Sequence, residues 1–202
     1  MTFVVAAEAG SRTGRLVAEI ARGRGHRVRV LAGLDDPATV ADAVRGGRAV
    51  VLVPKRGDAE RHAHAAVRTL ILSARRHAPA AHLLLVSSFA VGQPAHPLNR
   101  VTASLSGRLA AERALRASGL AWTVVRPTWL TEDPAGAHAV SVTQDAWADG
   151  MLARADLAAA LVAAAEQPHA RGKTFALFNE PGQRRRDWAR VFAGLAPDAV
   201  PA

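Results

Sequence analysis

The chain contains 202 residues, half of them apolar, which suits a single domain with a substantial hydrophobic core. It has no cysteine, and this excludes disulfide bonds, cysteine-ligated zinc sites and thiol catalysis. Its formal net charge of +9 would suit an anionic partner, but the arginines are scattered and only 4% of residues are aromatic, so a solvated basic surface is favoured over a nucleic-acid interface.

Short apolar runs alternate with longer helical patterns along the chain, which is typical of βα units around a parallel sheet. The predicted strands cover residues 3–7, 27–32, 49–53, 82–87, 122–126 and 174–178. The predicted helices cover residues 13–24, 37–45, 58–77, 100–118, 153–167 and 185–194. Residues 132–151 are less regular and are interpreted as a lid that contains an edge strand at 139–143. We predict one doubly wound, Rossmann-like α/β domain over residues 1–202.

Targeting and membrane signals are not evident in this sequence. Residues 1–5 form an apolar run without a basic region before it, and no stretch of eighteen apolar residues occurs. We therefore expect a cytoplasmic monomer or homodimer without a membrane segment. His62 and His64 are two residues apart on a predicted helix and do not form an i, i+4 metal-binding pair, so no metal site is predicted.

The first predicted strand leads into a turn that opens the first helix. In a βα unit, backbone amides at this position bind phosphate groups, and the helix dipole favours negative charge. We predict a phosphate site that uses the amides of Thr13 and Gly14 and the side chain of Arg12. The candidate cofactor-binding residues of the turn are Gly10, Ser11, Arg12, Thr13, Gly14 and Arg15.

The turn resembles the G-x-x-G-x-x-G turn of the atypical short-chain dehydrogenase/reductase group, the NmrA-like and flavin-reductase-like NAD(P)H-binding proteins. On that pattern the glycine positions fall on Glu8, Ser11 and Gly14, so this chain is a degenerate member that keeps only the third glycine. Other segments that resemble the family are residues 82–92, 111–127, 154–158 and 172–175. The resemblance covers most of the chain and implies a Rossmann-like fold that binds NADP(H) or NAD(H).

The resemblance also implies a catalytic Tyr-x-x-x-Lys pair in members that reduce carbonyls. Those two positions fall on Ser104 and Arg108, and the chain contains no tyrosine. Serine is a poor proton donor because its pKa lies far above neutrality, so the standard mechanism is excluded. Atypical members often lack the pair, and some of them still transfer hydride with only the cofactor and a nearby serine or water. Ser88 and Arg108 are therefore the candidate catalytic residues.

One βα unit of the family, roughly twenty residues, is missing between the first helix and Pro37. We therefore predict a sheet ordered 2-1-4-5-6 in the family's strand naming, without the third strand. In the family this unit supplies the pocket for the adenosine half of the cofactor. Asp35 follows the second predicted strand and is the candidate residue that remains there for selecting the cofactor.

The remaining candidate cofactor residues lie where other predicted strands end, at the rim where open α/β sheets bind ligands. They are Val53, Pro54, Lys55, Ser87, Pro127 and Thr128. Trp129 follows them as a candidate wall of a nicotinamide or substrate pocket. Because Arg12, Arg15 and Lys55 offer charge to a 2′-phosphate, we predict that NADPH binds better than NADH and that either binds weakly.

Three functions are compatible with these features. The first is an NAD(P)H-dependent oxidoreductase acting on a small or flavin-like substrate. The second is a non-catalytic protein that senses a dinucleotide, and the third is a scaffold for protein interactions. The resemblance favours the first function, whereas the lost glycines and the lost tyrosine favour the other two.

Overall fold

The computed structural model of the chain describes residues 1–54, 60–101, 104–182 and 187–199. Side chains are not described at residues 60–62, 100, 101 and 104. Lys55 therefore lies outside the described residues, as do the side chains of His62 and Ser104.

The described segments follow the predicted alternation of strands and helices. The strands are β1 (Thr2–Ala7), β2 (Arg27–Ala32), β3 (Ala49–Val53), β4 (His82–Val86), β5 (Ala121–Pro127), β6 (Trp129–Thr131), β7 (Ala139–Thr143), β8 (Met151–Ala153) and β9 (Lys173–Glu180). The helices are α1 (Arg12–Gly23), α2 (Pro37–Val44), α3 (Glu60–His77), α4 (Leu98–Val101), α5 (Ser104–Arg116), α6 (Arg154–Glu166) and α7 (Trp188–Gly194). None of these helices combines the length and the apolarity needed to cross a bilayer.

Seven of the described strands form one sheet in the order β2-β1-β3-β4-β5-β9-β7. Six of them are parallel, and β7 pairs antiparallel with β9 at one edge. In the described part of the chain no strand lies beyond β2, which confirms the predicted loss of the third strand. The edge strand predicted at 139–143 is confirmed as β7, so part of the expected lid belongs to the sheet.

Helices cover both faces of this sheet and enclose two apolar layers. Residues of α1, α6 and α7 pack against one face, and residues of α2, α3 and α5 pack against the other. Every residue of β3 and β4 is buried, as expected for parallel strands that are covered on both sides. This double covering explains why the two strands read as near-continuous apolar runs, with His82 at the start of β4 as the exception.

The missing unit leaves β2 at the edge of the sheet. Val30 in this strand is 57% exposed, although it points to a face that helices cover elsewhere. Arg29 donates hydrogen bonds through Nη1 to the carbonyl oxygens of Ala43 and Arg45, at 3.1 and 2.6 Å. Charged side chains such as Arg27 and Arg29 are a common protection of edge strands against pairing with another chain.

His82 is a buried histidine that begins β4 and is 1% exposed. The Thr123 hydroxyl donates to the carbonyl oxygen of Ala170 at 2.6 Å, so its oxygen accepts from Nε2 of His82 at 2.8 Å. Burial, assisted by the charge of Arg171, lowers the pKa of His82 from 6.5 to about 4. The imidazole is therefore neutral in the folded protein near neutral pH.

This histidine predicts an acid-sensitive stability. Below pH 6.5 the unfolded chain binds a proton at His82 that the folded chain does not bind, so the free energy of unfolding falls as the pH is lowered from 6.5 to 4. The contribution lost over this window is ~3 kcal/mol, since each pKa unit corresponds to about 1.4 kcal/mol.

Urea unfolding at several pH values tests this expectation. His82→Gln should flatten the pH dependence between pH 6.5 and 4, whereas His138→Gln, at an exposed position, should leave it as in the wild type. An unchanged pH dependence in His82→Gln would contradict this explanation.

Candidate functional site

Two adjoining cavities open where the strands end, at the carboxyl edge of the sheet. The central cavity has a volume of about 590 Å³ and lies above the ends of β1, β3, β4 and β5. The side cavity has a volume of about 600 Å³ and lies between the ends of β1, β2 and β3 and the helix α3. Glu8, Val53 and Pro54 line both cavities. They meet where the strand order reverses between β1 and β3, which is where open α/β sheets bind ligands.

Most residues predicted for the site lie around these cavities. The predicted residues that line the central cavity are Ser11, Arg12, Thr13, Val53, Pro54, Ser87, Ser88, Arg108, Pro127 and Thr128. Trp129 lines it too, whereas Asp35 lines the side cavity. Gly10, Gly14 and Arg15 line neither cavity.

The first turn is held by its own hydrogen bond and by one close approach. Gly10 has a φ of +84°, a backbone conformation that favours glycine. The hydroxyl of Ser11 accepts a hydrogen bond of 3.1 Å from the amide of Gly14 and caps α1. A Cβ atom at Gly14 would lie 2.6 Å from Cβ of Ala7, so glycine is needed for α1 to approach β1. The Gly14 amide, one of the expected phosphate donors, is therefore already hydrogen-bonded within the turn.

An ionic bridge joins three residues that line the central cavity. Glu132 accepts from Nη1 of Arg12 at 2.9 Å and from Nε and Nη2 of Arg154 at 3.1 and 2.9 Å. Arg154 also donates through Nη1 to the hydroxyl of Thr13 at 3.0 Å. The hydrogen bonds from Arg154, followed by those from Arg12, lower the pKa of the Glu132 carboxyl. The bridge joins the start of α1 to the start of α6 and to the segment after β6.

Sequence reasoning missed the roles of Glu132 and Arg154. Arg154 stands in a segment that carried the family resemblance, but nothing in its sequence context indicated that it lines the site. Its side chain is only 12% exposed, compared with 63% for Arg12. Arg154 is therefore the better buried of the two guanidinium groups in the bridge.

The side cavity is mostly apolar. Alanine, leucine, valine and proline side chains form most of its wall, and Glu8, Asp35 and Thr69 supply the polar side chains. Arg15, which was predicted to offer charge to a 2′-phosphate, instead pairs with Glu19 on α1 at 3.8 Å. A flat apolar group with hydroxyls near Asp35 suits this wall.

A buried carboxylate lies behind the opposite wall of the central cavity. Glu112 is fully buried, and its carboxylate accepts from Ser87 at 2.6 Å and from Arg126 at 3.0 and 2.7 Å. Arg116 donates to it at 3.0 Å. Because the Ser87 hydroxyl donates its proton to Glu112, its oxygen can only accept a hydrogen bond from a group in the cavity.

Arg108, which the sequence predicted at the position of the family's lysine, is fixed against the backbone. Its Nη1 donates to the carbonyl oxygens of Val86 and Ser87 at 3.3 and 3.2 Å. The side chain lines the central cavity beside Ser88. The structure therefore brings both predicted catalytic residues to one cavity.

Aromatic and aliphatic side chains form another part of the central cavity. Phe89 is buried, and its ring meets the ring of Trp129 edge to face with centroids 5.0 Å apart. Trp129 is 46% exposed. Leu98 and Leu105 line the same cavity. This wall suits a flat conjugated ligand.

Comparison with known proteins finds similarity along most of the chain. A family described as NAD(P)H-binding matches residues 9–168. Sanguinarine reductase from Eschscholzia californica is 31% identical over 121 residues, which are 55% of this chain and 44% of that protein. The match thus spans less than half the length of this relative.

Solved structures share the architecture. The oxidoreductase ylbE from Lactococcus lactis superposes with a TM-score of 0.80 at 15% identity, covering 96% of each chain. ChuY, an anaerobillin reductase from Escherichia coli, superposes with a TM-score of 0.73 at 21% identity, covering 92% of this chain and 100% of that one. At these identities the likeness establishes the fold.

The buried carboxylate leads to a stability prediction. Glu112→Gln would leave the guanidinium groups of Arg116 and Arg126 facing a neutral amide, although their side chains are only 14% and 17% exposed. We expect the free energy of unfolding to fall by about 3 kcal/mol, the low end of the loss for a broken buried ion pair, because Arg116 keeps its pair with Asp198 while Arg126 is left uncompensated.

Chemical denaturation measures this loss. The matched control is Glu19→Gln, which removes a carboxylate from an exposed ion pair on α1 and should have little effect on stability. Equal stabilities of Glu112→Gln and Glu19→Gln would contradict the account of the buried cluster.

Proposed function

Because this chain belongs to the NAD(P)H-binding family, we propose that it is a nicotinamide-dependent reductase of a flat, flavin-like substrate. The observation that carries the proposal is the pair of adjoining cavities at the topological switch point of the sheet. Each has the volume of a typical site for an organic ligand. A dinucleotide would place its adenosine half in the side cavity and its nicotinamide half in the central cavity.

The residues around the cavities fit such a cofactor. The start of α1 faces the central cavity through Arg12 and Thr13, and the Gly14 contact keeps this helix close to β1. The apolar side cavity suits an adenine ring, and in this proposal Asp35, which lines the cavity, accepts hydrogen bonds from ribose hydroxyls. When bound, the reduced nicotinamide supplies a hydride.

The protein's own groups limit the substrates that it can reduce. The chain has no tyrosine that could act as a proton donor, and the Ser87 hydroxyl already donates its proton to Glu112. Neither residue type therefore protonates the substrate. Conjugated acceptors such as quinones and flavins spread the charge left by hydride addition, and water can then protonate them. Arg108, Ser88 and Trp129 line the central cavity. In this proposal Arg108 and Ser88 donate hydrogen bonds to that charge, and Trp129 packs against the ring.

The positions of the charged residues favour NADH over NADPH. The sequence predicted that Arg12, Arg15 and Lys55 attract a 2′-phosphate. Arg12 instead pairs with Glu132 at the central cavity, and Arg15 pairs with Glu19, so neither lines the side cavity. Lys55 is outside the described residues. Asp35 lines the side cavity, where a carboxylate would repel a 2′-phosphate and bind a 2′-hydroxyl. We therefore propose NADH as the better ligand, in place of the NADPH expected from the sequence, and a titration with both decides between them.

A non-catalytic dinucleotide sensor is the second candidate function. The absence of tyrosine and the engaged Ser87 hydroxyl favour it, since both remove acid catalysis while leaving the binding residues in place. Binding without turnover would support the sensor. If no dinucleotide binds, the remaining function is a scaffold for protein interactions.

Calorimetric titration with NADH and NADPH tests the cofactor assignment. We expect NADH to bind more tightly than NADPH. Asp35→Asn should lower the affinity for NADH and reduce the difference in affinity between NADH and NADPH. Asp42→Asn is the control, because Asp42 is exposed on α2 and lines neither cavity. Tighter binding of NADPH to the wild type, unaltered by Asp35→Asn, would contradict the role of Asp35.

Oxidation of NADH in the presence of a quinone or a flavin tests the reaction. We expect turnover with these acceptors and at least ~100-fold slower reduction of simple aldehydes, because a positioned acid contributes about that factor. Trp129→Ala should lower kcat/KM for the flavin about tenfold, whereas Trp147→Ala, outside the cavity, should change it little. Rapid reduction of simple aldehydes would contradict the proposed chemistry.

A further inference from the structure

The ionic bridge places a carboxylate of the protein at the start of α1. Glu132 lies between the guanidinium groups of Arg12 and Arg154, and all three side chains line the central cavity. In this fold, the start of the helix after the first strand is where the anionic group of a dinucleotide binds. The carboxylate therefore stands near the place that a ligand anion would take.

The two arginines of the bridge are held differently. Arg12 and Glu132 are both more than half exposed, so their pairing is weakly stabilising and easily exchanged. Arg154 is mostly buried and donates a separate hydrogen bond to Thr13. If Glu132 moved away, Arg154 would remain in place beside the start of α1.

The first turn also departs from the usual phosphate site of this fold, which relies on free amides and on glycines that let the phosphates approach the backbone. The Gly14 amide is engaged by Ser11, and Glu8 and Ser11 occupy the positions of the first two glycines of the resembled pattern. A paired guanidinium site compensates for this loss, since each arginine can donate two parallel hydrogen bonds to an anion.

We propose that Arg12 and Arg154 form a diphosphate site in which Glu132 substitutes for the anion until a ligand binds. The inference rests on the proposed function, because the diphosphate is that of the nicotinamide dinucleotide. Ligand binding exchanges the Glu132 carboxylate for diphosphate oxygens on the same two guanidinium groups. The apparent affinity is therefore reduced by the fraction of protein in which Glu132 occupies the arginines.

Calorimetric titration with NADH and, separately, with inorganic pyrophosphate tests this exchange. Glu132→Gln should bind both ligands about two- to tenfold more tightly, because the ligand no longer has to displace a carboxylate from weak, exposed ion pairs. Glu19→Gln makes the same change of charge on the outside of α1 and should alter either affinity less than about twofold. Arg154→Gln should lower the affinity for pyrophosphate about tenfold, because the ligand loses a charge-assisted hydrogen-bonding partner.

Two further variants make the test specific. In the Arg154→Gln background, Glu132→Gln should produce a smaller gain, since one of the released arginines is absent. Arg154→Lys keeps the charge but not the planar fork and should bind pyrophosphate with intermediate affinity. It also serves if Arg154→Gln does not fold, which thermal unfolding would reveal.

The outcomes separate this inference from the proposed function. Equal affinities of the wild type and Glu132→Gln for both ligands would overturn the anion exchange, even if NADH binds. Tighter pyrophosphate binding in Glu132→Gln without any binding of NADH or NADPH would support the exchange and overturn the reductase. Binding of neither ligand to any variant would overturn both.

Discussion

One buried carboxylate joins the elements on which the central cavity depends. Glu112 of α5 accepts hydrogen bonds from Ser87 after β4 and from Arg126 in β5. Arg116 extends the cluster to Asp198, which also accepts from Thr174 in β9. Because a buried charge that loses its partner is costly, these strand ends cannot separate without a large loss of stability. The same cluster fixes the direction of the Ser87 hydroxyl.

The two sides of the central cavity therefore differ in how firmly they are held. On the Glu112 side, buried ion pairs and the Phe89–Trp129 contact define a fixed wall. On the α1 side, the Arg12–Glu132 pair is exposed to water and can be exchanged for a ligand. This division suits a site in which a substrate is oriented by one wall and an anionic cofactor is admitted at the other.

Features of the fold that depend on local sequence patterns could be predicted from the sequence. Buried strands such as β3 and β4 are near-continuous apolar runs, and the absent third strand follows from the short distance between α1 and Pro37. The strands β6 and β8 have three residues each and were not predicted, because they are stabilised by pairing with each other rather than by a local pattern. Likewise, Arg154 is hydrogen-bonded to Thr13, which lies 141 residues away in the sequence, and no local pattern indicates such a contact. The predicted preference for NADPH relied on Arg12, Arg15 and Lys55, and it stays a prediction, although Arg15 pairs with Glu19 on α1.

The central claim is that a nicotinamide dinucleotide binds across the first turn and connects the two cavities. Hydrogen–deuterium exchange with and without saturating NADH tests it directly, since amides at a binding site exchange more slowly when ligand is present. The account predicts added protection at residues 8–15, 33–35 and 127–132, with little change in α7. Unchanged exchange at residues 8–15, or protection confined to another surface, would contradict it.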